Sequence, residues 1–369
     1  MFNGAFSGKK VLVTGHTGFK GSWLSIWLNS LGAEVFGLSA GVVSEPSHFE
    51  AAGLSDIVDS KMGDISEPGV FAERLAETTP DFVFHMAAQP LVPLSYSEPY
   101  ETMKSNIMGT TLVLDALRTY ENQCTAVIIT SDKCYENVET YYGYRENDRL
   151  GGADPYSASK AAAEIVASSY FRSFLEAKEN LRVGITRAGN VIGGGDWAAA
   201  RLIPDIVRSW QADEQLEIRS PLATRPWQHV LEPLSGYLQL AQALSETKST
   251  DEWLNGQAFN FGPAAEAVHP VTDLVAVANT KFDGLDVHEL EQAAFHEAGL
   301  LKLCCDKAQS ALGWSANLDF DETVEMTFDW YEKFYAGDTG SQPTVRQLSE
   351  SQLEAYIDLA KARNHSWVN

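Results

Sequence analysis

The sequence predicts an α/β protein, with a Rossmann-like, doubly wound parallel sheet and a smaller, partly interleaved C-terminal α/β domain. Two observations predict this fold. Short β-rich runs alternate with helical runs through the first half of the 369 residues, and a glycine-rich turn follows the first run. After residue 193 the alternation of strand-like and helical runs stops, and prolines separate short segments. We therefore expect a first domain over 1–192, a mainly ligand-binding region over 193–335, and a C-terminal loop and helix over 336–369.

The individual elements follow from residue type and spacing. Runs rich in Val, Ile and Phe predict buried strands at 10–14, 34–38, 82–86, 126–130 and 182–186. Helical spacing of apolar and small residues predicts helices at 22–31, 102–120 and 155–174. A loop at 338–343 precedes a region that we expect to form a short, polar helix.

Composition excludes several function classes. The formal charge of −23 argues against binding to nucleic acid or to an anionic membrane, because both need a basic surface. No run approaches the roughly 20 apolar residues that span a bilayer, and residues 1–8 lack a signal-peptide pattern, so we expect a cytoplasmic protein. The four cysteines lack the spacing of a disulfide framework or a zinc site, and we predict no metal site.

The glycine turn predicts a dinucleotide site. Gly15, Gly18 and Gly21 lie between the first strand and the helix after it, where glycines let phosphate approach the backbone N–H groups of a helix N-terminus. We expect the turn, with Thr17, Phe19 and Lys20, to bind the pyrophosphate of a nicotinamide dinucleotide. Residues 38–41 offer neither the usual acidic ribose partner nor an arginine, so NAD and NADP both remain open. Asp64, followed by Ile65, is a candidate partner for the adenine amine, or an ordinary turn aspartate.

A tyrosine and a lysine form the candidate catalytic pair. Tyr156 and Lys160 are four residues apart on one face of a predicted helix, and the lysine is expected to lower the pKa of the tyrosine. The phenolate could then accept a hydroxyl proton near neutral pH. The pair lies about 140 residues after the glycine turn, and Ser131, at the end of a predicted strand, precedes Tyr156 by 25 residues.

These residues resemble the extended short-chain dehydrogenase/reductases, and within them the nucleotide-sugar 4,6-dehydratases, particularly the branch that acts on CDP-glucose. The resemblance covers nearly the whole chain to about Trp330. The segments that carry it are TGHTGFKGSW (14–23), HMAAQP (85–90), TSDKCY (130–135), GYREN (143–147), RAGNVIGGGDW (187–197) and RPWQHVLEPL (225–234). A dehydratase acting on another nucleotide sugar, or an epimerase or reductase of the same fold, is the alternative. One departure is Pro93, where related enzymes commonly have arginine.

The resemblance implies a recycled hydride and an acid–base pair. Tyr156 would take the proton of the sugar 4-hydroxyl, Ser131 would hydrogen-bond that oxygen, and Lys160 would hold the cofactor ribose. Most relatives have Asp-Glu at the positions where this chain has Asp132 and Lys133. Asp132 would then protonate the departing 6-hydroxyl, and Lys133 becomes the candidate base for C5. The product would be a 4-keto-6-deoxy sugar for surface-polysaccharide synthesis.

The resemblance also implies the remaining contacts. Ala87, Ala88 and Gln89 are expected beside the cofactor. Guanidinium groups suit a pyrophosphate, so Arg225 is the first candidate for the substrate diphosphate, followed by Arg208 and Arg219. Further substrate contacts are expected from Asn190, Leu202, Gln89, Tyr144 and His229. Proteins of this family commonly pair through two helices, here 102–120 and 155–174, so we expect a homodimer, with a homotetramer left open.

Overall fold

A seven-stranded parallel sheet forms the centre of the protein. The computed structural model describes residues 1–218, 220–247, 252–264, 267–282, 285–290, 299–336 and 343–369. The described strands, in chain order, are β1 Lys10–Thr14, β2 Glu34–Ser39, β3 Val58–Met62, β4 Phe82–His85, β5 Cys124–Ile129, β6 Leu181–Arg187, β7 Val191–Ile192, β8 Leu216–Ile218, β9 Thr224–Arg225, β10 Gln228–His229, β11 Ala258–Asn260, β12 His269–Pro270 and β13 Val287–Glu289. The central sheet has the order β11-β6-β5-β4-β1-β2-β3, and the other strands form three small pairs.

Helices cover both faces of this sheet. The described α-helices are α1 Phe19–Ser30, α2 His48–Ala51, α3 Val70–Thr78, α4 Val92–Ser97, α5 Pro99–Met103, α6 Gly109–Thr119, α7 Pro155–Tyr170, α8 Leu202–Ala212, α9 Leu231–Glu246, α10 Val271–Lys281, α11 Asp306–Leu312, α12 Phe320–Tyr335 and α13 Val345–Ala362. A π-helical turn, Lys104–Met108, joins α5 to α6. Among the described helices, none is long and apolar enough to cross a membrane.

The central strands are buried on both faces, because successive side chains pack into two different apolar layers. In β1, Leu12 packs into the layer under α3, α6 and α7, whereas Val11 and Val13 pack into the layer with α1 and α9. Strands of this kind read as continuous apolar runs. The five predicted strands are confirmed with ends shifted by at most two residues.

The second half of the chain contributes to the same sheet. Its strand β11 pairs in parallel with β6, from Ala258 opposite Ile185 to Asn260 opposite Arg187. Helix α9 packs against β5 and β6. The domain boundaries at 192 and 335 stay predictions.

The C-terminal helix is longer and less polar than expected. Helix α13 has 18 residues and buries Leu348, Leu353, Tyr356 and Ile357. It packs against α1 and α12, so an apolar stripe fixes it to the body of the protein. Of the predicted loop at 338–343, only residue 343 is among the described residues.

Candidate active site

One large cleft lies at the carboxyl ends of the central strands, where open α/β sheets bind ligands. Its volume is about 1460 Å³, and it is lined by the glycine turn, the end of β5, the start of α7 and the segment that leads into α8. The predicted site residues that line it are Gly15, Thr17, Gly18, Phe19, Lys20, Gly21, Asp64, Ile65, Ala87, Ala88, Gln89, Ser131, Asp132, Lys133, Tyr156, Lys160, Asn190, Leu202 and Arg225.

Three predicted substrate residues lie outside the lining of this cleft. The hydroxyl of Tyr144 donates to Asn137 and accepts from the N–H of Val138, which fixes a loop. His229 is fully buried in β10, with its ring edge-on to Trp23. These two side chains are therefore structural in this conformation.

Arg208 is the third predicted substrate residue that lies outside the lining of the cleft. Its guanidinium binds Asp205 one turn earlier in α8 and donates to the backbone carbonyl of Trp197, 3.0 Å away. Arg208 thus holds the segment before α8 rather than facing the cleft. Arg219, also predicted, lies outside the described residues.

The glycines of the turn have different physical roles. Gly15 has φ +76°, and a Cβ on it would lie 2.8 Å from the backbone N of Ala87. A Cβ on Gly21 would lie 2.1 Å from the carbonyl oxygen of Gly15, so only glycine lets α1 start this close to the turn. A Cβ on Gly18 would meet nothing closer than 3.4 Å, and this residue lines the cleft.

The start of α1 suits a phosphate group. Its N-cap, Gly18, provides no side-chain cap, and the first turn holds no acidic residue. The N–H groups of that turn therefore keep their capacity to donate to an anion in the cleft. This arrangement fits the pyrophosphate of a dinucleotide.

Small polar side chains from β2 and β3 contact His16 of the glycine turn. The hydroxyl of Ser39 lies 3.0 Å from Nδ1 of His16, whose Nε2 is 2.7 Å from the hydroxyl of Ser60. Burial lowers the pKa of His16 to about 4, so this ring is neutral. Asp64 accepts two hydrogen bonds from Ser66 through Oδ1, which is the turn role anticipated as an alternative, while still lining the cleft.

The segment after β4 is fixed by an asparagine. The side chain of Asn106 accepts from the N–H of Gln89 at 2.8 Å, donates to its carbonyl at 3.1 Å and donates to Ser159 at 2.8 Å. The amide of Gln89 itself donates to Thr102. The hydrogen bonds of Gln89 are thus mainly internal, although it borders the cleft. Pro93 also lines the cleft.

The acid–base candidates stand together at the end of β5. The hydroxyl of Ser131 donates to Oδ1 of Asp132 at 3.0 Å and accepts from the N–H of Lys133 at 3.3 Å. The ammonium of Lys133 is 3.5 Å from the same Oδ1. The Asp132 side chain is fully buried, and its Oδ2 has no hydrogen-bond partner among the described residues. One carboxylate oxygen is therefore anchored and the other remains available.

Tyr156 and Lys160 lie one helical turn apart in α7, and both are buried. Burial raises the pKa of Tyr156 to about 12, although the hydroxyl of Ser131 and the charge of Arg201 act in the opposite direction. The prediction of a lowered tyrosine pKa is therefore wrong for this structure, because desolvation outweighs the nearby cations. Burial also lowers the pKa of Lys160 to about 8, while Cys134 and Glu164 oppose that change.

A buried ion pair lies one helical turn beyond Lys160. Glu164, one turn further along α7, binds the guanidinium of Arg187 through both carboxylate oxygens. Arg187 also donates to the hydroxyl of Tyr135 at 2.6 Å, and Thr130 donates to Glu164 at 2.5 Å. This network fixes the ends of β5 and β6 against α7.

The cleft contains a guanidinium that the sequence-based prediction omitted. Arg201 precedes α8, lines the cleft and donates to Oδ2 of Asp196 at 2.8 Å. Its position beside the predicted Leu202 was the available signal. Asn190 adopts φ +52°, and its buried Oδ1 has no hydrogen-bond partner within the described part of the chain. Both features suit a polar ligand.

The sequence of this chain is similar to those of several known proteins. The sequence profile of the family described as GDP-mannose 4,6 dehydratase matches residues 12–327. CDP-glucose 4,6-dehydratase of Salmonella typhimurium is 45% identical over 353 residues, covering 94% of this chain and 96% of that protein. CDP-paratose 2-epimerase of Salmonella typhi is 24% identical over 351 residues, covering 87% and 98%.

A solved structure shows the same fold. It is dTDP-glucose 4,6-dehydratase from Bacillus anthracis in complex with NAD, with a TM-score of 0.73 and 20% identity. The match covers 89% of this chain and 98% of that one. The predicted Rossmann-like α/β class is thereby confirmed.

Proposed function

The chain belongs to the GDP-mannose 4,6-dehydratase family, and from this premise we propose that it is a hydro-lyase that converts CDP-glucose to CDP-4-keto-6-deoxyglucose. Bound NAD is the cofactor, as in the related solved complex. The observation that carries the proposal is the convergence of Ser131, Tyr156 and Lys160 with the Asp132–Lys133 pair in one cleft beside the glycine turn.

The first half of the reaction takes place at the sugar 4-hydroxyl. When bound, NAD supplies a nicotinamide that takes up hydride and later gives it back, so there is no net redox change. Because burial raises the pKa of Tyr156 to about 12, its phenolate has to form and be stabilised before it can accept the 4-hydroxyl proton. Lys160 and Arg201 are the nearby cations, and Ser131 supplies a hydroxyl for the developing carbonyl oxygen.

The second half is the loss of water across C5 and C6. A 4-keto group acidifies the C5 proton, and the departing 6-hydroxyl needs an acid. Asp132 suits that role because its side chain is buried and one oxygen is unpartnered among the described residues. In the assignment drawn from the family resemblance, Lys133 is the candidate base.

The substrate diphosphate is expected near the opening formed by α8 and β9. Arg225 and Arg201 offer guanidinium groups there, and Leu202 adds an apolar contact. The Oδ1 of Asn190, without a partner among the described residues, can accept from a sugar hydroxyl. A planar guanidinium can donate two hydrogen bonds to phosphate oxygens at once, so arginine suits a diphosphate better than lysine.

Product mass tests the proposal directly. The purified protein is incubated separately with CDP-glucose, dTDP-glucose and GDP-mannose, alongside a Tyr156→Phe variant as the inactive control. Loss of one water from CDP-glucose alone, abolished in the variant, is the expected result. Loss of water only from another sugar nucleotide would refute the choice of substrate.

An epimerase is the second candidate, since one relative is named CDP-paratose 2-epimerase. That chemistry leaves the mass unchanged and has no use for an acid that expels a hydroxyl. The buried Asp132 beside Lys133 therefore favours the lyase. Unchanged mass with an inverted sugar centre would favour the epimerase.

We also propose a homodimer formed through α6 and α7. Large apolar side chains on or beside these helices are exposed, among them Met108 at 49%, Ile165 at 57% and Phe174 at 52%. Several exposed large apolar side chains on two neighbouring helices suit association. Light scattering should give twice the chain mass, and an Ile165→Glu variant should be monomeric; a wild-type monomer would refute the proposal. A homotetramer and a cytoplasmic location stay predictions.

A further inference from the structure

The turn between β6 and β7 packs directly against the carboxyl group of Asp132. This carboxyl group occupies the space that a side chain at position 189 would take, since a Cβ on Gly189 would lie 1.8 Å from Oδ2 and 1.9 Å from Cγ. The backbone N–H of Asp132 also donates to the carbonyl of Ala188, at 3.4 Å. Oδ2 has no hydrogen-bond partner among the described residues, so packing against the turn limits where this oxygen can lie. The position of the turn therefore helps to set the position of the candidate acid.

The next residue of the turn is held in an unfavourable backbone conformation. Asn190 has φ +52°, in the left-handed region that residues with a side chain seldom adopt. It lines the cleft, and its buried Oδ1 has no partner in the described part of the chain. A backbone conformation of this kind persists only where the surrounding contacts impose it. The contacts that hold the turn therefore also keep Asn190 in the wall of the cleft.

Gln228, the first residue of β10, supplies several of these contacts. Its side-chain amide nitrogen donates to the carbonyl of Gly189 at 2.9 Å, and its backbone N–H donates to the carbonyl of Asn190 at 3.3 Å. The same amide nitrogen donates to the carbonyl of Phe261, directly after β11, at 3.1 Å. Gln228 is 1% exposed and lies outside the lining of the cleft. One buried side chain thus joins the turn to the edge strand of the central sheet.

The two hydrogen bonds of the Gln228 amide are costly to lose. Without that amide, the buried carbonyls of Gly189 and Phe261 would no longer have this donor. A buried carbonyl that loses its donor raises the free energy of the folded state, and the backbone shifts to recover a hydrogen bond. Because Gly189 and the Asp132 carboxyl group are in contact, a shift of the turn also displaces Asp132.

We propose that Gln228 is a positioning residue for the elimination of water, because it fixes the turn at 189–190 against Asp132; this inference rests on the proposed dehydratase function. Gln228 acts through the turn and makes no contact with the substrate. Removal of hydride from C4 depends instead on Tyr156 and Lys160, which lie on α7. Loss of the Gln228 amide should therefore slow the second half of the reaction more than the first.

Gln228→Met tests the proposal, because methionine is unbranched and of similar length but has no side-chain hydrogen-bond donor. Gln239→Met is the matched control. Gln239 is also buried, and its amide nitrogen also donates to two oxygens, those of Leu312 and Ser366, outside the lining of the cleft. At saturating CDP-glucose, stopped-flow absorbance follows reduced nicotinamide and mass spectrometry follows product. Urea unfolding compares the stability of the two variants.

Both variants should unfold at a lower urea concentration than the wild-type protein, since each loses two buried hydrogen bonds. Gln228→Met should form reduced nicotinamide within about threefold of the wild-type rate, but form product at least about tenfold more slowly. Gln239→Met should keep both rates within about twofold. A change in the ratio of the two rates is a result that loss of stability alone does not produce.

Two outcomes would overturn the inference. One is a folded Gln228→Met enzyme that forms product at nearly the wild-type rate. The other is equal slowing of both halves of the reaction, which would mean that Gln228 supports the site only in general. If Gln228→Met does not fold, Gln228→Asn replaces it, because its amide is one methylene shorter, and the same ratio of rates decides. If the wild-type protein leaves CDP-glucose unchanged, the proposed function has failed, which is a separate result.

Discussion

Replacing Gly189 with alanine should displace Asp132 specifically. A Cβ at position 189 would lie 1.8 Å from Oδ2 and 1.9 Å from Cγ of Asp132. Since carbon atoms pack at about 3.5 Å, the carboxyl group or the backbone has to move by about 1.6 Å. The Asp132 side chain is buried in the wall of the cleft, so a displacement changes the position of a candidate catalytic group.

The displacement sets the expected size of the effect. A shift of about 1 Å in a catalytic group can cost about 100-fold in rate, so we expect kcat for dehydration to fall at least that far. This corresponds to about 2.7 kcal/mol of lost transition-state stabilisation. Overpacking should also lower the free energy of unfolding by about 1–3 kcal/mol.

The assay measures product formation at saturating CDP-glucose together with unfolding in urea. Gly262→Ala is the matched control, because a Cβ there would meet Leu303 at an ordinary 3.5 Å. The control should stay within about twofold of the wild-type rate, on the scale of a tolerated core contact. A folded Gly189→Ala enzyme with nearly wild-type kcat would show that the position of Asp132 does not limit the reaction.

Three further predictions concern the cofactor turn, the buried ion pair and a buried acid. Gly21→Ala, whose Cβ would lie 2.1 Å from Gly15, should weaken NAD binding at least tenfold by calorimetry, and unchanged affinity would refute the close-packing argument. Arg187→Met should lower the free energy of unfolding by about 3–5 kcal/mol, because it leaves Glu164 buried without its partner; a loss below about 1 kcal/mol in urea would contradict this. Burial raises the pKa of Glu232 from 4.5 to about 7, so the folded state binds its proton more tightly. This contribution is full below pH 4.5 and is lost as pH rises to about 7, at a cost of about 3 kcal/mol. Glu232→Gln should remove that pH dependence of unfolding, and an unchanged profile would exclude Glu232 as its source.

The sequence was sufficient for the parts of the fold that depend on local pattern. Continuous apolar runs predicted the strands because both faces of the central sheet are covered, and the glycine turn was recognisable from its place after β1. The amphipathic stripe of α13 was also present in the sequence, but its polar residues concealed the apolar side chains that reach the core.

The site was predicted less completely because burial is a tertiary property. The spacing of Tyr156 and Lys160 placed them on one helical face, but it could not show that desolvation would raise the pKa of the tyrosine. Arg208 resembled a phosphate ligand, although Asp205, three residues earlier, was a partner visible in the sequence. Arg201 lies beside the predicted Leu202, but only the placement of α8 showed that it lines the cleft.

The pairing of β11 with β6 has a consequence for synthesis of the chain. About 70 residues separate Arg187 from Ala258, so β6 leaves the ribosome well before its outer neighbour exists. During that interval its free backbone groups form an open edge that can pair with another chain. The nascent protein is therefore most prone to aggregation just before residue 258 is synthesised. Once β11 has emerged and paired with β6, the exposed edge of β6 is covered.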